Sequence, residues 1–178
     1  MESNEHNVQV HLRALEQSDL TRLAKLANNR KVWLNVRDGF PHPYTKKSAE
    51  AFYDRVHATK PMSTFCIDLD GDLCGMIGIE LKEDIYAKNG ELGYFVGEPY
   101  WNQGIVTQAI GLITLKGFDE FGLNRLEGRV FEHNAGSMRA LEKNGYHLEA
   151  IAKRSAFKDG KFLNEHVYVR LNPNAVYS

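Results

Sequence analysis

ELGYFVGEPYWNQGIV, Glu91 to Val106, reads as a strand, a kinked turn and the start of a helix. Glu91, Gly93 and Phe95 alternate with Leu92, Tyr94 and Val96, which gives a short strand two distinct faces. Gly97 and Pro99 end it. Ile105, Val106, Ala109, Ile110, Ile113 and Phe118 then recur near a 3.6-residue period, and Gly122 offers a left-handed stop, so a helix is predicted to begin at Gly104. The first amides of a helix have no intrahelical partner and sit at the positive end of its dipole, and a glycine there lets a ligand come close. The junction therefore suits a phosphate, although a plain strand-to-helix connection would look the same on this stretch alone.

Working outward, NAGSMRALEKNGY from Asn134 to Tyr146 reads as a short helix with Asn134 at its N-cap and Gly145 just past its end; Ser137 lies one turn after Asn134. Arg125 to Phe131 before it reads as a strand. Upstream, Val8 to Leu12 alternates as an opening strand, and Ser18 is expected to cap a helix carrying Leu20, Leu23, Leu26 and Ala27. Trp33, Phe40 and Tyr44 lie on an aromatic loop broken by Pro41 and Pro43, ahead of a second helix from about Lys47 to Ala58. Such a loop either lines a pocket or covers the edge of the core. Thr64 to Leu69, Leu73 to Leu81 and Glu91 to Val96 form an expected meander with turns at Asp70-Gly71 and Asn89-Gly90, and a last hairpin from about Ala150 to Leu171 turns at Asp159-Gly160.

The segments GELGYFVG, YWNQGIVTQA, NRLEGRV and NAGSMRALEKNGY, in this order and spacing, resemble the GNAT superfamily of acetyl-CoA-dependent acetyltransferases, and within it the branch of the Rim-type ribosomal-protein N-terminal acetyltransferases. The likeness extends to HLRALEQSDL, PHPYT and KDGKFLNEHVYVRL, nearly the whole chain. It implies an α/β (α+β) fold in which a mostly antiparallel mixed sheet of about seven strands carries about four helices on its two faces. Residues 1–178 would form one such domain.

The resemblance also implies acetyl-CoA as co-substrate. Its pyrophosphate would lie on the amides of Gln103 to Thr107, with Trp101, Asn102, Gln103, Gly104, Ile105, Val106 and Thr107 around it. The family's pattern of Gln or Arg, two residues, Gly, one residue, then Gly or Ala falls on Trp101, Gly104 and Val106, and only the central glycine matches strictly. The pantetheine would run beside the strand ending at Val96, where that strand splays from the next, and Asn134 would bind it. A backbone N–H near Phe95 or Val96 would face the developing oxyanion, and Ser137 would contact the cofactor sulfur.

Acetyl transfer needs a neutral amine, a polarised carbonyl and a thiolate that leaves. Glu91 is the expected base, acting through a water, with Glu132 and His133 as weaker candidates; an exposed or salt-bridged role for Glu91 stays open. Many family members carry a tyrosine acid seven residues after the asparagine, where this chain has Leu141, and an aspartate where it has Asn164. Tyr146 is read as core. The expected reaction is direct attack of a primary amine on acetyl-CoA in a ternary complex, the acceptor being a protein N-terminus or a small-molecule amine. The alternative is a non-catalytic acyl-CoA-binding or sensing domain.

Hydrophobic residues make up 43% and charged ones 25% of the 178-residue chain, the balance of a globular protein with a real core. A net charge of −1 speaks against a broad nucleic-acid footprint. The start, MESNEHNVQV, has no basic-then-apolar leader, and no run approaches the roughly 18 apolar residues of a membrane helix, so a cytoplasmic protein without a membrane partner is expected. Neither Cys nor His pairs show ligand spacing, so no metal is expected. Cys66 and Cys74 should fall on opposite faces of their hairpin as reduced core thiols. A homodimer is compatible with the chain, but no pattern calls for one.

Overall fold

A computed structural model of the protein describes residues 9–175; Val8 and the rest of the first eight residues lie outside the described residues. Strands β1 (Val10–Arg13), β2 (Thr64–Leu69), β3 (Asp72–Leu81), β4 (Asn89–Val96), β5 (Arg125–Phe131), β6 (His147–Lys158) and β7 (Lys161–Leu171) build one sheet in the order β1-β2-β3-β4-β5-β7-β6. Among the described residues, only β4 and β5 run parallel. Helices α1 (Leu20–Ala27), α2 (Arg30–Trp33) and α3 (Lys46–Ala58) precede β2, while α4 (Ile105–Asp119) and α5 (Ala135–Lys143) flank β5.

The pleat divides the core in two. Leu92 and Val96 of β4 join Ile105, Ile110, Ile113 and Leu141 beneath α4 and α5, whereas Phe95 joins Leu23, Tyr44 and Ala49 beneath α1 and α3. The alternation expected for Glu91 to Val96 is thus the division between the two faces of the sheet. Cys74 lies in the first cluster and Cys66 in the second. Both thiols are free, and burial pushes them up to about 11 and about 12, far from a reactive thiolate.

Two-residue turns at Asp70-Gly71 and Asp159-Gly160 join β2 to β3 and β6 to β7, with both residues of each pair at positive φ as this turn type requires. Asn89-Gly90 is not a turn. It opens β4, and the chain reverses earlier, through a 3₁₀ turn at Asp84–Tyr86. A Cβ on Gly90 would come within 2.5 Å of Ile79 Cγ2, so that glycine serves close packing. Nor does Ser18 cap α1: Gln17–Asp19 is a 3₁₀ turn flanked by Glu16, and the Asp19 side chain accepts from the Glu16 amide at 2.9 Å. The short α2, capped by Asn29 through the amides of Lys31 and Val32, makes a fifth α-helix among the described residues, where the resemblance implies about four. No helix among the described residues is long and apolar enough to cross a membrane.

Arg13 holds Asp19 through two bonds of 2.7 and 2.8 Å and reaches Asp68 at 2.6 Å, tying β1 to the start of α1. These bonds, chiefly the one from Arg13, keep the Asp19 carboxyl below its ordinary 3.8 against the opposing effect of burial. A lowered folded-state pKa stabilises above the ordinary value and is lost as pH falls through the folded value. Urea unfolding of Asp19→Asn across this acidic range is therefore expected to show a smaller loss of stability with falling pH than the parent protein.

Candidate active site

β4 and β5 pair only from Asn89 with Arg125 to Leu92 with Gly128; past that point each continues without the other, to Val96 and Phe131. The gap opens into a cleft of about 1430 Å³. Gly97 N–H donates to Cys74 O at 2.8 Å, so by the alternation of an antiparallel ladder Phe95 also faces β3, while the backbone groups of Tyr94 and Val96 face the gap. Trp101 Nε1 donates to Val96 O at 2.7 Å, in keeping with that orientation.

The loop from Gly97 to Gly104 is pinned from several sides. Arg22 bonds Tyr100 Oη, Asn29 Nδ2 donates to Glu98 Oε2 at 2.7 Å, and Lys31 pairs with Glu98. Gln103 Nε2 donates to Pro99 O at 2.9 Å. The loop delivers Asn102 and Gly104 at φ 58° and 75°, and Gly104 is the N-cap of α4 with no side chain capping the helix. A Cβ at Gly104 would meet nothing within 4 Å, so the space over these amides is open. Uncapped amides, positive dipole and open approach are together suited to an anion.

Across the gap stands α5. Asn134 caps it, its Oδ1 accepting from Ser137 N at 3.2 Å, and Ser137 Oγ lies 2.6 Å from Tyr94 Oη of β4. Phe95, Val96, Trp101, Asn102, Gly104, Ile105, Val106, Thr107, Asn134 and Ser137 all line the cleft; of the residues expected around the cofactor, Gln103 alone does not. Leu141 is fully buried, and Tyr146 is core, its hydroxyl 2.7 Å from Thr114 Oγ1.

Glu91 stands at the other end of the cleft on the α3 side, almost buried and paired with Arg37 and with Lys82, the latter at 3.2 Å. Glu80 bridges the same cations, while Arg129 holds Glu127 at 3.1 Å. Phe40 and Tyr44 line the cleft, their tilted rings 4.8 Å apart, with Phe40 edge-on to Phe95 at 5.1 Å. Trp33 does not line it. It packs under Lys158, whose ammonium lies 3.6 Å from the ring centroid and 2.6 Å from Asp38, so it anchors the β6–β7 hairpin. Glu132 is occupied by Asn164, accepting from its N–H and its amide at 3.0 Å each. His133 is exposed, 6.0 Å from the Phe131 ring.

Sequence reasoning passed over Arg37, Lys82, Tyr94, Arg129, Arg139 and Lys143, all of which line the cleft. Arg139 and Lys143, one turn apart on α5, carried a legible signal as a basic pair on the helix of Asn134. No group of three or more side chains suited to a metal occurs among the described residues.

The family profile described as "Acetyltransferase (GNAT) domain" matches residues 9–147. The chain is 39% identical over 83 residues to "Probable N-acetyltransferase YjcK" of Bacillus subtilis, an alignment covering 47% of this chain and 46% of that protein. The chain thus aligns with less than half of that relative. It is 23% identical over 167 residues to the ribosomal-protein-serine acetyltransferase of Escherichia coli, covering 91% and 92% of the two chains. A solved spermidine N-acetyltransferase of Vibrio cholerae, in complex with CoA and spermine, superposes with a TM-score of 0.78 over 92% of this chain and 95% of that one, at 21% identity.

Proposed function

The chain belongs to the GNAT acetyltransferase family, and on that premise we propose that it moves an acetyl group from acetyl-CoA to a primary amine by direct attack in a ternary complex. The observation that carries this reading is the gap between β4 and β5, which runs from an uncapped helix terminus at Gly104 past Ser137 to an acceptor chamber at Glu91. The CoA complex of the Vibrio cholerae relative supports the choice of cofactor.

The pyrophosphate would rest on the amides of Gln103 to Thr107, with Arg139 and Lys143 available to its outer phosphates. The pantetheine would complete the interrupted ladder along Tyr94 to Val96 and meet Asn134. Val96 N–H, directed into the gap, is the proposed oxyanion donor, and Ser137 Oγ the donor to the departing sulfur. Holding amine and thioester together supplies much of the rate, up to roughly 7 to 11 kcal/mol in well-oriented cases. Glu91, fixed by Arg37 and Lys82, would orient the water that takes the amine proton.

Relatives are named for a ribosomal protein and for spermidine, and the acceptor proposed here stays at that breadth: a protein N-terminus or a small amine. An α-amine, with a reference pKa near 8 against about 10.4 for lysine, asks less of the base.

Leu141, buried where many relatives carry a tyrosine acid, favours the second reading of a CoA-binding sensor. Thiol release from acetyl-CoA over a panel of amines separates the two. Amine-dependent release, with kcat lowered at least about tenfold by Glu91→Gln, is the expected result. Tight CoA binding without turnover on any amine would establish the sensor.

A further inference from the structure

Leu141 leaves the sulfur end of the gap without a phenol from α5, and the packing explains why: a Cβ on Gly128 would come within 3.0 Å of Leu141 Cδ1, so that side chain fills the space between α5 and β5. A phenol does reach the same place from the opposite side. Tyr94 projects from β4 two residues beyond the last β5 pairing, and its hydroxyl lies 2.6 Å from Ser137 Oγ. The serine is held twice, its backbone by Asn134 and its hydroxyl by Tyr94.

Either oxygen could donate on distance alone. The phenol is the stronger acid of the two and so the better donor, and burial pushes its pKa well above the ordinary tyrosine value, so it keeps its proton at neutral pH. A serine oxygen that accepts from Tyr94 has its own proton free to turn elsewhere, and the open direction is the gap.

We propose that Tyr94 is a positioning residue for acetyl transfer: by donating to Ser137 Oγ, it aims the serine's O–H at the cofactor sulfur. The inference rests on the acetyl-transfer reading of the cleft. No proton leaves Tyr94: the amine nitrogen bonds to the carbonyl carbon and its proton passes to the water held by Glu91, then the oxyanion collapses, the carbonyl–sulfur bond breaks, and the thiolate departs while accepting a hydrogen bond from Ser137.

Tyr94→Phe keeps the ring and removes only the hydroxyl. Tyr94→Phe and Ser137→Ala are each expected to lower kcat about tenfold with KM for acetyl-CoA changed less than about twofold, the pattern of an interaction made in the transition state. The double variant should be no slower than Ser137→Ala, because Tyr94 acts through the serine. Unchanged kcat in Tyr94→Phe, or a double variant slowed by the product of the two effects, would overturn the proposal.

A second measurement needs no turnover: the pKa of the thiol of bound CoA, read from its ultraviolet thiolate absorbance. Tyr94→Phe should raise it as Ser137→Ala does, and the double variant no further. No upward shift in Tyr94→Phe would overturn the positioning role. Variants that show these shifts, beside a wild-type protein that acetylates no amine, would instead sink the acetyl-transfer reading and leave the hydrogen-bond relay standing.

Discussion

Gly104→Asp is expected to abolish measurable CoA binding while leaving the fold standing. Gly104 sits at φ 75° before the first turn of α4, in open space and with no side chain on the helix amides. An aspartate there places a carboxylate over the same amides that would seat the pyrophosphate. Two like charges about 5 Å apart at an effective dielectric of about 20 repel by roughly 3 kcal/mol, and the carboxylate also competes for the donors, so the dissociation constant should rise by more than about a hundredfold. The left-handed conformation costs a non-glycine residue about 1 to 2 kcal/mol, and a capping carboxylate returns about 1 kcal/mol. Melting temperature should therefore move little. Calorimetric titration with CoA beside a thermal melt checks both halves, and retained affinity would remove the anion seat from Gly104.

Gly75→Ala is expected to have the largest effect on stability. Gly75 of β3 pairs with Val96 of β4, and a Cβ on it would lie 2.1 Å from Phe95 O and 2.9 Å from Val96 Cα. These are backbone atoms and cannot rotate away, so the end of β4 must shift. A loss of about 4 kcal/mol or more, with a melting temperature lower by about 10 °C or more, follows. Any protein that still folds should bind CoA weakly, since the displaced segment is the one beside the gap. Gly93→Ala is the control: a Cβ at Gly93 meets nothing within 4 Å, although it lies on the same strand three residues from Val96. A Gly75→Ala melt as high as that of Gly93→Ala would show that β3 and β4 do not fix the gap.

Features set by local chemistry were legible in the sequence. Gly104 and Gly122 bracket α4, Asn134 and Gly145 bracket α5, and both two-residue hairpin turns fall at their Asp-Gly pairs, because each position asks for one backbone conformation or one cap. Gly90 lies at the start of β4, where its sequence context suggests a turn. A glycine needed for clearance under Ile79 and one needed for a turn look alike in sequence. The four-residue α2 is too short to show a helical period, and Ser18 has the right chemistry for a cap but lost the place to Glu16 and Asp19, which Arg13 draws in from β1.

At the site, the residues that line the gap are named through the family resemblance of their motifs, whereas partners brought from afar are not. Arg37 reaches Glu91 across 54 positions and Tyr94 reaches Ser137 across 43, so nothing in either local pattern announces the pair. Trp33 shows the converse. Its aromatic loop suggested a pocket wall, but the ring is taken by Lys158 of β6, a contact only the folded hairpin creates.

A crystal structure of the protein with CoA tests directly whether the gap between β4 and β5 is the cofactor site. The pyrophosphate is expected on the amides between Gln103 and Thr107, the pantetheine between β4 and β5 beside Tyr94 to Val96, and the sulfur against Ser137 Oγ. CoA bound elsewhere, or seated at Gly104 with its thiol turned away from Ser137 and the Glu91 chamber, would contradict this placement.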